Sequence, residues 1–327
     1  MAKLRGAIIG CGNISEFHLR GWARIPEVEI CAVVDPDLSR AKLRRTQFAP
    51  HAQVYSGMQE ALARQPLDFV DITTPPWMHK EQCLLAAKTG LHIICQKPLC
   101  DDLAEATSLV KALESYPKRF CVHENHRYRP WFREALRLCH AGVLGTPRYL
   151  EITQHDPCEP PEEINTTATH GVFLQYGVHL VDMAEALFGR PSSVEANMLH
   201  LNPRVRGESL ANVLLRYERA QASLTVSWKA AGIQQSHALL VGDKGEAWYE
   251  GSLTRAGKAR FRVYQDKSLI LDENRSPMSD YMESFFQFEQ EFVASVAGSG
   301  LPPQTAASNL DSLKTTFAAY AAAKGTP

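Results

Sequence analysis

Lys97 sits in the segment HIICQKPL, residues 92–99, directly after a short apolar run and directly before a proline. A run such as His92-Ile93-Ile94-Cys95 reads as a buried strand of a parallel sheet. Lys97 then stands at the carboxyl end of that strand, the edge outside which open α/β sheets bind their ligands. Pro98 fixes its own φ and pushes Lys97 into extended backbone, so an ammonium group is held at the mouth of a cleft. Such a group takes a proton when neutral and polarises a carbonyl when charged. A second candidate set lies in FLQYGVHLVDMAEALFG, where Gln175, His179 and Asp182 follow one another at spacings of four and three. On an α-helix those spacings share one face, with Leu180, Met183, Ala184 and Leu187 for packing. His179 is then either a satisfied core histidine or a proton carrier projecting toward Lys97.

The surrounding elements point to a dinucleotide. AIIGCGNIS carries Gly10, Gly12 and Ser15 between a strand and a helix, the context that gives a G-x-G-x-x-small pattern its meaning. Gly10 allows the tight turn and Gly12 lets the backbone approach a pyrophosphate. Asn13 and Ile14 carry the loop to the helix N-terminus, whose unpaired N–H groups face the phosphates. Asp35 ends the second strand, where a carboxylate accepts from the adenosine ribose hydroxyls and repels a 2′-phosphate, which favours NAD over NADP. In DITTPPWMH, Thr73, Thr74 and Pro75 line the cofactor cleft on the nicotinamide side. His79 either contacts the cofactor or sits near the start of the following helix, and the second is favoured. Beside a nicotinamide cation the ammonium form of Lys97 is disfavoured, which suits a base.

Up to about residue 122 the chain alternates strand and helix patterns, which implies parallel βαβ units with right-handed crossovers. Beyond it come helices at about 131–141 and 173–188, several strands with period-2 alternation between 194 and 271, and two closing helices. The predicted architecture is α/β: a Rossmann doubly wound parallel sheet over 1–122, then an α+β domain built on an open, mostly antiparallel sheet over 123–327. The 327 residues are 45% hydrophobic and 22% charged with a net charge of −1, which argues against a nucleic-acid or anionic-membrane partner. No apolar run reaches the length of a membrane span, and the N-terminus leaves no room for a signal peptide, so a cytoplasmic location is expected. None of the eight cysteines forms a CxxC pair. Only His123…His126 and His155…Cys158 approach metal spacing, too few ligands to expect a metal.

GCGNIS, DITTPPWMH, CQKP and GVHLVD, in that order, resemble the glucose–fructose oxidoreductase / inositol dehydrogenase / rhizopine catabolism (Gfo/Idh/MocA) family. HENHRYRP, and SW followed by VGDKGE, are also similar, so the resemblance covers nearly the whole chain. It implies NAD(P)-linked redox at a secondary alcohol or carbonyl of a sugar, cyclitol or related polyol, with Lys97 and His179 handling the proton. It also implies a homodimer or homotetramer. Two positions depart from the family pattern: the glutamate before the lysine is Gln96, and the aspartate four residues before the histidine is Gln175. An amide gives His179 no charge stabilisation, so its pKa is expected below that of relatives with the carboxylate, and more of the base role falls on Lys97. Gln96 is counted with the cofactor cleft, and Gln175 with the substrate. Asn125 and Arg127 follow the last Rossmann strand; Arg127 serves either substrate hydroxyls or an inter-domain ion pair. His155 is a further substrate candidate at a strand end, whereas Trp228 is expected in the core. Two other readings stay open: a glycoside-cleaving enzyme that recycles NAD, and a cofactor-binding ligand sensor without turnover.

Overall fold

The computed structural model describes residues 3–156, 170–228, 235–253 and 257–324. The chain divides into two compact units, one of residues 1–125 with 282–310 and one of residues 126–281 with 311–327.

In the first unit, strands β1 (Leu4–Ile9), β2 (Val28–Val34), β3 (Gln53–Tyr55), β4 (Phe69–Ile72), β5 (His92–Gln96) and β6 (Phe120–His123) form one sheet in the order β3-β2-β1-β4-β5-β6. Every pairing is parallel. This is the expected doubly wound sheet, with its topological switch between β1 and β4. Helices α1 (Ser15–Trp22), α2 (Leu38–Phe48), α3 (Met58–Arg64), α4 (Pro76–Lys88) and α5 (Leu103–Ala112) make the crossovers. β3 and α3 have no counterpart in the sequence reading, because three and seven residues are too short to show a period. The strands bury Ala7, Ile8, Val33, Val70, Ile93 and Ile94 completely. Residues 282–310 complete the core: Phe292 lies 5.7 Å from Phe69, which lies 4.8 Å from Trp22 (ring centroids), and Phe288 lies 4.2 Å from His123.

The second unit holds an eight-stranded sheet: β7 (Pro147–Asp156), β8 (Ser193–Leu199), β9 (Leu210–Arg216), β10 (Gln221–Trp228), β11 (Gln235–Gly242), β12 (Gly245–Gly251), β13 (Ala259–Gln265) and β14 (Ser268–Arg275). The order is β14-β13-β12-β11-β7-β10-β9-β8, with β7 and β10 parallel and the other pairs antiparallel. The period-2 pattern is literal here: Leu150, Ile152, Leu224, Val226, Leu240 and Phe261 are buried while their neighbours face the other side. Helices α6 (Pro130–His140) and α7 (Val178–Phe188) belong to this unit, while α8 (Pro277–Val296) and α9 (Ala306–Lys324) are divided between the two.

One expected helix differs. The segment 173–188 opens with a π-helical turn, Phe173–Gly177, and becomes α-helical only at Val178. Gly177 lets the turn widen, since a Cβ there would lie 2.1 Å from Cδ2 of Phe173. The carboxylate of Glu208 holds the entry, accepting from the N–H groups of Gly171 and Phe173 (both 2.9 Å) and from the Tyr320 hydroxyl (2.7 Å). The π turn winds more widely than an α-helix, so the segment holding Gln175 departs from the regular α geometry of the segment holding His179 and Asp182.

Candidate active site

The parallel register brings the first unit's candidates to one edge. Ile9 pairs with Val34 and Ile72, Ile72 with Cys95, and Cys95 with Val122. The next residues along that carboxyl edge are therefore Asp35, Gly10, Thr73, Gln96 and His123, with Lys97 one residue beyond.

Gly10 has φ +95°, and a Cβ on it would sit 2.9 Å from Thr74, so only glycine fits this turn. Around the Cβ position of Gly12 there is open space to 4 Å. Ile14 precedes α1 with no side-chain cap, which leaves the helix's first N–H groups for a ligand. Asp35 is buried and ties the loop down: Oδ2 accepts from Cys11 N (2.8 Å) and Oδ1 from Asp37 N (2.8 Å). The Thr73 hydroxyl donates to Gly10 O at 2.7 Å, and that of Thr74 to Gln82 Oε1 at 2.6 Å. An open glycine, an uncapped helix start and a carboxylate at the β2 end fit a dinucleotide.

Sequence reasoning missed Arg44 in α2. Its guanidinium donates to Ser15 Oγ (3.2 Å), Gly12 O (3.2 Å) and Glu16 Oε2 (3.1 Å), which braces the glycine loop from behind. No local pattern marks it, since it is one of several arginines on a mostly exposed helix.

Lys97 is half-buried, and the Lys97–Pro98 peptide is cis. His79 lies in the first turn of α4, as favoured from sequence, and is buried between two loops. Nε2 is 2.8 Å from Thr74 O; Nδ1 is 3.1 Å from Pro98 O and 3.2 Å from Leu99 O. Burial pushes its pKa down despite those carbonyls, and the charge of Lys97 acts the same way. His79 thus ties the Thr74 loop to the segment that carries Lys97. The Asn125 amide donates to Ser284 Oγ at 2.9 Å.

A buried chain lies under Lys97. Its N–H donates to Gln96 Oε1 (3.0 Å), the Gln96 amide approaches His18 Nε2 (2.7 Å), and His18 Nδ1 approaches Asp71 Oδ2 (2.8 Å). Asp71 in FVDIT was the one signal: a carboxylate inside an apolar strand needs partners. His18, His123 and Glu289 place ligating atoms within 4.8 Å of one another. Both nitrogens of His18 are already engaged, however, so that ring offers no lone pair to a cation.

In the second unit His179 is buried, and its ring stacks on that of His126, with centroids 3.8 Å apart and planes at 18°. Arg127 grips Asp182 through both edges of the carboxylate, Nε to Oδ2 at 2.7 Å and Nη2 to Oδ1 at 2.6 Å. Asp182 is completely buried, so the pair is charge-assisted and shielded. The ion pair foreseen for Arg127 therefore forms inside one unit, from the 3₁₀ turn Asn125–Tyr128 to α7. Gln175 is buried in the π turn. His155 is half-buried in β7, with Nδ1 2.7 Å from Ser227 Oγ. Trp228 is buried, edge-on to Tyr176 at 5.9 Å, in keeping with a core role. Cys158 lies outside the described residues, so the His155…Cys158 spacing has no structural counterpart here.

Comparison with known proteins bears on the whole constellation. The model of the oxidoreductase family with an NAD-binding Rossmann fold matches residues 4–124, and that of the GFO/IDH/MocA C-terminal domain matches residues 132–248. A D-apiose dehydrogenase of Paraburkholderia graminis is 32% identical over 224 residues, which span 68% of this chain but only 60% of that relative. A D-apiose dehydrogenase of Rhizobium rhizogenes is 24% identical over 335 residues, covering 99% of this chain and 96% of that one. An oxidoreductase of Agrobacterium radiobacter, solved with NAD+, L-tartaric acid and magnesium, shares the fold with a TM-score of 0.87 at 23% identity, over 99% of this chain and 97% of that one. With the glycine loop, the parallel sheet and the mixed second sheet all in place, the two family matches make this chain a member of the Gfo/Idh/MocA oxidoreductases, with an NAD-binding Rossmann fold.

Proposed function

We propose that the protein is an NAD-dependent dehydrogenase acting on a secondary alcohol, or the matching carbonyl, of a sugar, cyclitol or related polyol. One observation carries the reading: Lys97 leaves β5 on the same sheet edge as the glycine loop, one strand from Thr73. The nicotinamide, when bound, accepts or returns the hydride. Neutral Lys97 takes the hydroxyl proton at Nζ in oxidation, and its ammonium form returns it in reduction. His79 stays neutral through burial, so it pins the loop rather than competing for that proton. His179 is the second proton carrier, stacked on His126, on a helix that Arg127 grips through Asp182. Asn125, Gln175 and His155 are assigned to substrate hydroxyls. The relatives named D-apiose dehydrogenases put sugars first among the compounds to offer. The half-buried face of the second sheet is the surface on which copies would pair.

The test is a screen of purified protein with NAD against sugars, cyclitols and sugar acids, read as nicotinamide absorbance. A polyol-dependent rise is expected, and it should fall by about 10²–10⁴ in Lys97→Ala while NAD affinity changes less than about twofold. Wild-type turnover in Lys97→Ala removes the lysine from the chemistry. Tight NAD binding with no reduction by any compound overturns the dehydrogenase reading.

A further inference from the structure

We propose that Gln96, His18 and Asp71 act as positioning residues for Lys97, through an imidazole locked with its single proton on Nδ1. The argument starts at Lys97, whose backbone N–H can only donate. The group facing it at 3.0 Å must therefore be the carbonyl oxygen of the Gln96 amide. The amide's NH2 then faces Nε2 of His18 at 2.7 Å, and NH2 can only donate, so Nε2 carries a lone pair. The ring proton is left on Nδ1, where it is donated to Asp71 Oδ2 at 2.8 Å. Trp22 Nε1 donates to the same oxygen, also at 2.8 Å. Each link is dictated by the one before it. Gln96 is 5% exposed, and His18 and Asp71 are 0% exposed, so water cannot substitute for any member.

A glutamate at position 96 would impose the opposite arrangement. A carboxylate cannot donate, so His18 would need a proton on Nε2 as well as on Nδ1. An imidazolium would then lie between two buried carboxylates, with the His123 ring 4.2 Å away and the Glu289 carboxyl close by. The carboxylate would also stand one residue from the Lys97 ammonium, on a segment that already carries Asp101 and Asp102 and against which His79 packs. Opposite charge at that range favours the protonated lysine. Gln96 thus anchors the backbone of Lys97 and adds no charge beside it, so the lysine gives up its proton more readily. The departure from the family's glutamate is a tuning of the base. This inference rests on the role proposed above for Lys97, and its first test does not.

Uniformly 15N-histidine-labelled full-length protein, free of cofactor, is examined by long-range 1H–15N correlation, with His18 identified by loss of its signals in His18→Gln. The expected result is the neutral Nδ1–H tautomer. An Nε2–H tautomer or an imidazolium in the wild type overturns the proposal, whether or not a substrate is found. In Gln96→Glu the same signals should become those of an imidazolium at neutral pH. The second arm is the pH profile of kcat/KM. Gln96→Glu should move the limb assigned to Lys97 upward by about one unit, a tenfold loss below the limb. An unmoved limb overturns the tuning. Absence of turnover in every variant counts against the dehydrogenase reading, and the tautomer result still decides the chain of hydrogen bonds.

Discussion

Asp35 has two tasks at residue scale. Both of its oxygens accept backbone N–H groups around the glycine loop, and the proposed NAD site gives the same carboxylate the adenosine ribose hydroxyls. Removing it should loosen the loop and remove the repulsion of a 2′-phosphate together. Asp35→Ala is expected to weaken NAD binding and to lower the NAD-over-NADP ratio of kcat/KM by about tenfold or more, from steady-state kinetics with each cofactor. A loss of NAD affinity with an unchanged ratio would leave Asp35 as loop support alone. The residues legible in the sequence were those whose neighbours announce them: glycines between strand and helix, a lysine before proline at a strand end. Arg44, His18, His126 and Glu208 carry no such mark. Their roles come from partners 28 to 112 positions away, which no local window contains. Arg127 shows the middle case: the sequence narrowed it to two roles, and the buried partner Asp182 defines the ion pair.

At the scale of elements, the π turn before His179 shows how a period can mislead. Apolar spacing reads the same for an α-helix and for one that gains a residue in its first turn. What decides is Gly177 against the Phe173 ring, and the Glu208 carboxylate at the entry. Gly177→Ala should cost about 1–3 kcal/mol in urea denaturation, because Phe173 is completely buried and the ring must be displaced. It should lower kcat too, since His179 lies two residues on. Full stability in that variant would mean the turn tolerates the α geometry. Helix α8 carries a second consequence. Glu289 is completely buried, and among the described residues neither carboxyl oxygen has a hydrogen-bond partner. Burial pushes its pKa well up, and the nearby Asp71 adds to this. The unfolded chain ionises this group near pH ~4.3 while the folded one keeps it protonated, so the penalty is absent below that pH and grows as pH rises. Glu289→Met should therefore stabilise the protein more at pH 8 than at pH 5, by up to about 4 kcal/mol at about 1.4 kcal/mol per unit. An equal effect at both pH values would mean that Glu289 ionises normally in the folded protein.

For the whole molecule, both sheets were legible as classes, because repeated βα units and period-2 strands are local patterns. Their strand orders were not. The parallel pairing of β7 with β10 joins segments about seventy residues apart, and nothing in either segment names its partner. Nor does the sequence announce that residues 282–310 belong with residues 1–125. Phe285, Phe288 and Phe292 fill the space between His18, His123, Trp22 and Phe69. A fragment ending at residue 125 would leave that aromatic layer open and should lack a cooperative thermal transition. Joining residues 282–310 to it by a flexible linker should restore one, together with NAD binding. A stable, cofactor-binding fragment without the added segment would mean the aromatic layer is dispensable.

The same returning segment sets a timetable for synthesis. The first six strands leave the ribosome long before Phe285 exists, because residues 126–281 are made in between. At about 5–20 residues per second, the unfinished nucleotide-binding half waits roughly ten seconds or more for its missing wall. During that interval Trp22 and Phe69 lack the Phe292 ring that packs against both. Only a chain translated past residue 310 holds every residue of the first unit.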